Sequence, residues 1–212
     1  VSSDQPLVQL GSPSAYIRAK TQLPDREVLV ELEINSEKAN RARINQNPVR
    51  SQKEIFGIVQ AIYFSPEDLD LVRGDPSERR KFIDQLLILR SPRMAGVISD
   101  YERAVRQRNS LLKSRAGTES LVAWDEQVAN FGGEIIAARL QALSEFEPIF
   151  QEIYRDISSE KPAFITYKSS IEEPTQNPLE NSTKILERMK VTRASEIERG
   201  LTLTGPHRDD LL

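Results

Sequence analysis

Residues 118–157 form the longest regular stretch of the chain and read TESLVAWDEQVANFGGEIIAARLQALSEFEPIFQEIYRDI. Apolar residues recur in this stretch every three or four positions: Leu121, Trp124, Val128, Phe131 and Ile135, then Leu140, Leu143, Phe146, Phe150, Ile153 and Ile157. This spacing predicts a long amphipathic helix. Gly132-Gly133 and Pro148 are the places where we expect it to bend or break.

The stretch before it predicts two further helices. Apolar residues follow helical spacing from Pro76 to Arg90, and Ser91-Pro92 then starts a new helix that ends by Gly117. Because only a short turn separates this helix from residues 118–157, we expect the two to form an antiparallel hairpin.

The first part of the chain predicts strands. Apolar and polar residues alternate in residues 15–20 and 27–34 across a Leu-Pro-Asp-Arg turn, and residues 41–45 add a third strand. An antiparallel meander follows from this order. After a short helix near residues 51–56, the apolar run 58–64 predicts a buried strand. Ser65-Pro66 and Asp75-Pro76 each have the composition of a helix start.

The last part of the chain predicts several short strands and helices. Residues 163–168 predict a strand, and the polar stretch 172–183 predicts a loop. Two helical segments, 179–189 and 194–199, are followed by Gly200 as a helix stop. A strand over 201–204 then leads into Gly205-Pro-His-Arg-Asp-Asp.

Composition excludes several kinds of site. The chain has 212 residues, a net charge of −3, no cysteine and one histidine, His207. Disulfides, thiolate metal sites and imidazole-rich zinc sites are therefore excluded, and carboxylate-bound Mg²⁺ is the metal site still open. No apolar run has the length of a membrane span, and the first residues lack the pattern of a signal peptide. We therefore expect a cytoplasmic protein.

The middle of the chain is basic. Residues 73–115 carry 11 basic and 5 acidic side chains. Such a block suits contact with the phosphates of a nucleic acid, although a solvated helix face or a patch against the acidic last part of the chain explains it as well. The candidate DNA-binding residues are Arg73, Arg79, Arg80, Lys81, Arg103, Arg106, Arg108 and Lys113.

The closing stretch offers a second candidate site. His207, Arg208, Asp209 and Asp210 follow one another, so His207 as a base and the aspartates as metal ligands would form a hydrolytic site. The alternative is a hydrogen-bonded structural histidine. No phosphate-binding G-x-x-x-x-G-K-[ST] loop, G-x-S-x-G elbow or H-E-x-x-H pair occurs in the chain.

Three of these segments together resemble the RecF family of the SMC and ABC-type ATPase superfamily. They are Phe64 to Asp84, the run YERAVRQRNSLLK from Tyr101, and LTGPHRDDL from Leu203 to Leu211. The resemblance extends over nearly the whole chain. It implies an α+β fold in which mainly antiparallel strands from part of an ABC-type ATPase head lobe carry a large helical lid built on an antiparallel helical hairpin. It assigns residues 1–72 to the head lobe, 73–160 to the lid and 161–212 to the return into the lobe.

The resemblance also implies a function. Proteins of this family bind ATP and Mg²⁺, dimerise over ATP, bind DNA at gaps and at single-strand to double-strand junctions, and act with RecR and RecO to load RecA. The phosphate-binding loop, the signature motif and the Walker B acids of the family have no counterpart in this chain. The resemblance implies that the run from His207 to Asp210 shapes the lobe and the approach to a nucleotide site. We therefore expect no catalytic residue, no cofactor and no ATPase activity in it. The alternative is a helical module that binds RecR or a second RecF copy without contacting DNA.

Overall fold

The chain divides into two compact units, Val1–Tyr63 and Phe64–Leu212. The computed structural model describes residues 4–50, 52–55, 58, 66–115, 117–158 and 162–212. Antiparallel strands dominate the first unit and helices the second. This confirms the predicted α+β class. We assigned the segment 161–212 to a third region, and its described residues 162–212 lie in the same unit as the helices.

The first unit is a four-stranded antiparallel sheet in the order β1-β2-β3-β4. Its strands are β1 (Ser14–Gln22), β2 (Glu27–Asn35), β3 (Arg41–Ile44) and β4 (Asn47–Pro48). Val28, Val30 and Ile34 of β2 are buried on one face. On the other face Glu31 lies opposite both Arg18 and Arg43. The alternation thus gives β2 one apolar face, and the predicted meander is confirmed.

The connection between the two units is only partly described. A short 3-10 helix, Gln52–Ile55, lies where a short helix was predicted. The predicted strand 58–64 and the helix start at Ser65 fall almost wholly outside the described residues. The second unit then begins with a 3-10 turn, Pro66–Leu69, and α1 (Asp70–Arg73).

Three helices form the frame of the second unit. They are α2 (Pro76–Arg90), α3 (Arg93–Lys113) and α4 (Thr118–Ile157), with the predicted turns between them. Their apolar stripes meet in one core, which includes Ile83, Leu87, Val97, Tyr101, Val128, Ile135 and Ile136. The predicted helical hairpin is therefore present, because helical spacing places each apolar stripe toward its neighbours.

The prediction of a break in α4 was wrong. The helix is continuous over its 40 residues, including Gly132, Gly133 and Pro148. The glycines serve close packing instead. A Cβ added to Gly133 would lie 2.4 Å from the carbonyl oxygen of Pro178 and 2.7 Å from the amide nitrogen of Ser182. The first turn of the next helix therefore crosses α4 where α4 has no side chain.

That next helix, α5 (Pro178–Arg199), is a single element where we predicted a loop followed by two helical segments. It begins at Pro178, one residue before the predicted segment 179–189, and the predicted loop therefore ends at Asn177, whose side chain accepts hydrogen bonds from the amides of Leu179 and Glu180. It ends at Gly200, which has φ +65°, as the glycine predicted.

The predicted strands near the end of the chain are mostly absent. Only β5 (Tyr167–Lys168) and β6 (Asp210–Leu211) pair, in an antiparallel ladder. No strand forms over 201–204, because side chains take its backbone donors: Thr202 N donates to Asn109 Oδ1 and Leu203 N to Glu196 Oε1. A 3-10 turn, Pro206–Arg208, follows instead. We call residues 201–212 the return segment.

Two glycines in helix interiors test the close packing of α4 on α5. Gly133→Ala should lower the free energy of unfolding, since its Cβ would collide with backbone atoms of α5. Gly96→Ala in α3 should raise it by about 0.5–1 kcal/mol, because its Cβ would meet nothing within 4 Å. Urea unfolding followed by the fluorescence of Trp124, the single tryptophan, measures both. Equal effects of the two substitutions would contradict the packing described for α4.

Candidate functional site

Gly205 sets the geometry of the return segment. Its φ of +126° is one that side chains rarely adopt, and an added Cβ would lie 2.3 Å from the hydroxyl oxygen of Tyr101. Its carbonyl oxygen accepts from the Ser170 hydroxyl, and its amide donates to the same group. Glycine is thus required here both by the backbone and by the close approach of α3.

Both ring nitrogens of His207 form hydrogen bonds. Nδ1 lies 2.5 Å from the Tyr101 hydroxyl, and Nε2 lies 3.2 Å from the carbonyl oxygen of Thr202. A carbonyl only accepts, so Nε2 carries the proton and Nδ1 accepts from Tyr101. Burial lowers the pKa of His207 to about 4, so the ring is neutral near pH 7. With both nitrogens engaged, the imidazole is a structural group and has no free position for a base.

The two aspartates point to different partners. The buried Asp209 accepts from the Tyr167 hydroxyl and from the amide of Ser170, at 2.7 Å. Asp210 forms a bidentate salt bridge with the guanidinium of Arg79, whose nitrogens lie 2.8 and 3.0 Å from the two carboxylate oxygens. This salt bridge lowers the pKa of Asp210. Within the described residues no group of three or more metal-ligating side chains occurs. The geometry therefore does not support the hydrolytic site considered from the sequence.

Arg108 occupies the interior of the helical unit, although we included it among the DNA-binding candidates. Its side chain is fully buried and donates to Asp125 at 2.7 Å, Glu196 at 2.6 Å and the Thr202 hydroxyl at 2.9 Å. These partners lie on α4, α5 and the return segment. The prediction that Arg108 binds DNA is therefore wrong, because a fully buried guanidinium with three protein partners cannot reach a phosphate.

A second buried arginine, Arg139 of α4, was not singled out from the sequence. It donates to both oxygens of Asp84 on α2, and to the carbonyl oxygen of Pro206 at 2.8 Å. Burial raises the pKa of Asp84, while the Arg139 guanidinium acts in the opposite direction. The signal in the sequence was a lone arginine on the apolar face of a helix, between Ile135 and Leu143.

The other basic candidates fall into two groups. Arg79 pairs with Asp210, and Arg80 donates to the carbonyl oxygen of Asp209 at 2.9 Å, so both connect α2 to the return segment. Arg208 donates to the carbonyl oxygen of Thr202. The exposed candidates are Arg73, Lys81, Arg103, Arg106 and Lys113.

Three of the exposed candidates share one face of α3. Arg103, Arg106 and Lys113 are separated by three and seven positions, which is close to whole helical turns. Arg103 pairs with Asp100, and Arg106 lies 3.6 Å from Glu102. These pairs are exposed and contribute little to stability, so phosphates can compete for the same cations.

The whole chain is similar to curated RecF proteins. It is 43% identical over 234 residues to the DNA replication and repair protein RecF of Kineococcus radiotolerans, and 43% identical over 225 residues to that of Streptomyces avermitilis. These matches cover 100% of this chain. The chain is homologous to RecF. It spans 59% and 60% of the length of these two relatives. No protein-family model matches it.

Solved structures of RecF show the same fold. The recombination mediator RecF-ATPrS of the RecFOR pathway superposes with a TM-score of 0.91 at 25% identity. The match covers 99% of this chain and 58% of that one. RecF-ATP of the same pathway gives a TM-score of 0.90. The resemblance to the RecF family and the expected fold class are thereby confirmed. Among the described residues no helix is long and apolar enough to cross a membrane.

The protonation of His207 is directly measurable, because it is the only histidine. We expect its ring to titrate near pH 4 in the folded chain and near 6.5 in the urea-unfolded chain, by the chemical shift of the Cε1 proton. Between these values only the unfolded chain binds the proton, so stability falls as the pH falls through this window. The free energy of unfolding should fall by about 3 kcal/mol across this window, at about 1.4 kcal/mol per unit of difference between the two pKa values.

A folded-state midpoint near 6.5 would contradict the buried, neutral imidazole. His207→Gln is the matched control, since an amide keeps a donor and an acceptor but does not titrate in this range. The variant should lose the part of the pH dependence of stability that lies between pH 4 and 6.5.

Proposed function

We propose that this chain is the DNA-binding and subunit-contacting part of a RecF-like replication and repair protein. In the proposal the intact protein binds gapped DNA and single-strand to double-strand junctions in an ATP-dependent manner, and it helps to load RecA together with RecR and RecO. Homology to RecF over the whole chain supports it. So does the naming of the solved neighbours as parts of the RecFOR pathway.

The observation that carries the DNA-binding part is the exposed basic face of α3. Arg103 and Arg106 have side chains 65% and 67% exposed, and Lys113 is exposed near the end of the helix. Their ion pairs are solvated. A helix face of this kind contacts phosphates without sequence preference, which suits a protein that recognises a DNA structure.

ATP and Mg²⁺ belong to the intact protein in this proposal, as does dimerisation with a second copy. The chain's sequence contains no phosphate-binding loop, so we assign it no ATP turnover of its own. We also propose a cytoplasmic location for the intact protein.

Charge reversal on α3 tests the DNA-binding face. Arg103→Glu, Arg106→Glu and Lys113→Glu together should weaken binding to a fluorescent gapped duplex by at least about tenfold. The slope of log affinity against log salt should also become shallower, because fewer counterions are released. Fluorescence anisotropy at two salt concentrations measures both effects.

The matched control reverses three exposed cations on α5: Arg188→Glu, Lys190→Glu and Arg199→Glu. It produces the same change in net charge and should affect affinity much less. Equal losses in the two triple variants would show that only net charge matters and would refute the α3 face.

The same variants examine the alternative, in which the helices bind RecR or a second RecF copy without touching DNA. Loss of RecR in a pull-down with unchanged DNA binding would favour that alternative. The reverse result favours the DNA-binding proposal. Arg79 and Arg80 are unsuitable for this test, because both are bonded to the return segment.

A further inference from the structure

The charges of α3 are unevenly distributed along the helix. Residues 103–115 carry five basic side chains and no acidic one. The two acidic residues of α3, Asp100 and Glu102, lie immediately before this run. Each of them faces one of the arginines that we assign to DNA: Asp100 faces Arg103 and Glu102 faces Arg106. The acidic residues of this helix are therefore placed where they can compete with phosphates.

The two ion pairs differ in geometry. An Nη of Arg103 donates a hydrogen bond to Asp100 Oδ1 at 2.7 Å. The guanidinium of Arg106 lies 3.6 Å from Glu102 Oε2, which is beyond hydrogen-bond distance. In both pairs the acid precedes the base by about one helical turn, the order that favours such pairs. Arg103 is thus held by its acid more closely than Arg106.

A phosphate must replace the carboxylate to take the full hydrogen-bonding capacity of Arg103. Asp100 then loses its cation and lies beside the negative charge of the DNA. Both changes oppose binding, and like charges brought together at an interface cost free energy. Because exposed ion pairs are weak, the effect adjusts the affinity for DNA and does not block binding.

We propose that Asp100 is an intramolecular competitor for the phosphate contact of Arg103 and so sets the DNA affinity of the α3 face. Glu102 has a weaker effect of the same kind on Arg106. Within the described part of the chain Lys113 has no ion pair, so it is not subject to this competition. The inference rests on the DNA-binding function proposed above, and it adds to that function a residue that restrains it.

Asp100→Asn tests the proposal, because it removes the charge and keeps the shape of the side chain. The variant should bind the fluorescent gapped duplex about two- to fivefold more tightly in anisotropy, the range expected for the loss of one exposed ion pair. Glu102→Gln removes an equal charge one position further from a close contact, so its gain should be smaller.

A double-mutant cycle separates competition from general repulsion. In a chain that already carries Arg103→Gln, no ion pair with Asp100 is left to break. The gain from Asp100→Asn should therefore be at least about twofold smaller there than in the unmodified chain. Repulsion between Asp100 and DNA alone would give a gain that does not depend on Arg103.

Glu187→Gln is the matched control, since Glu187 is exposed on α5 and the change in net charge is the same. It should leave the affinity within about 1.5-fold. Circular dichroism checks that each variant keeps its helices.

Several results would overturn the proposal. Weaker binding by Asp100→Asn would show that the carboxylate orients Arg103 for the phosphate. Equal gains from Asp100→Asn, Glu102→Gln and Glu187→Gln would show that only net charge matters, and a cycle without coupling would exclude action through Arg103. Failure of the proposed function is distinguishable, because the triple charge reversal on α3 would then leave DNA binding unchanged, and the inference would fall with it.

Discussion

The buried charge of Arg108 is the constraint on which the helical unit depends. A guanidinium taken out of water must find anionic partners, or the cost of burying it exceeds what packing returns. Asp125 and Glu196 provide them from α4 and α5, and Thr202 completes the set from the return segment. Because these partners are 17, 88 and 94 residues from Arg108 in sequence, the charge is satisfied only when three helices and the return segment are all in place.

The return segment gathers the other buried polar groups as well. Arg139 connects it to α2 and α4 through Pro206, Arg79 and Arg80 connect it to α2, and His207 connects it to α3 through Tyr101. The stretch with the densest chemistry in the sequence is therefore a structural junction. The exposed basic side chains of α3 lie outside this junction. The histidine, arginine and aspartates of this run therefore form hydrogen bonds and ion pairs within the helical unit.

The elements predicted best from the sequence are those governed by local spacing. Strands β1 to β3, helices α2 to α4 and the stop at Gly200 follow from periodicity and from glycine or proline at their ends. The misassigned strand over 201–204 depends on Asn109 and Glu196, whose side chains bind its backbone donors. No local pattern reveals such distant partners. Arg108 is different, because it lies on the same helical face as the buried Tyr101, Val105 and Leu112. Helical spacing alone therefore predicts a buried position for Arg108 and an exposed one for Arg106.

The most direct measurement compares Arg108→Met with Arg106→Met, two equal changes on one helix. Urea unfolding followed by Trp124 fluorescence gives the free energy of unfolding of the helical unit. We predict a loss of about 3–5 kcal/mol for Arg108→Met, because the carboxylate of Glu196 remains buried without a cation and Asp125 keeps only its ion pair with Arg193. Arg106→Met should stay within about 0.5 kcal/mol, since its side chain is 67% exposed. Equal, small effects of the two substitutions would contradict the claim that the buried charge of Arg108 holds this fold together.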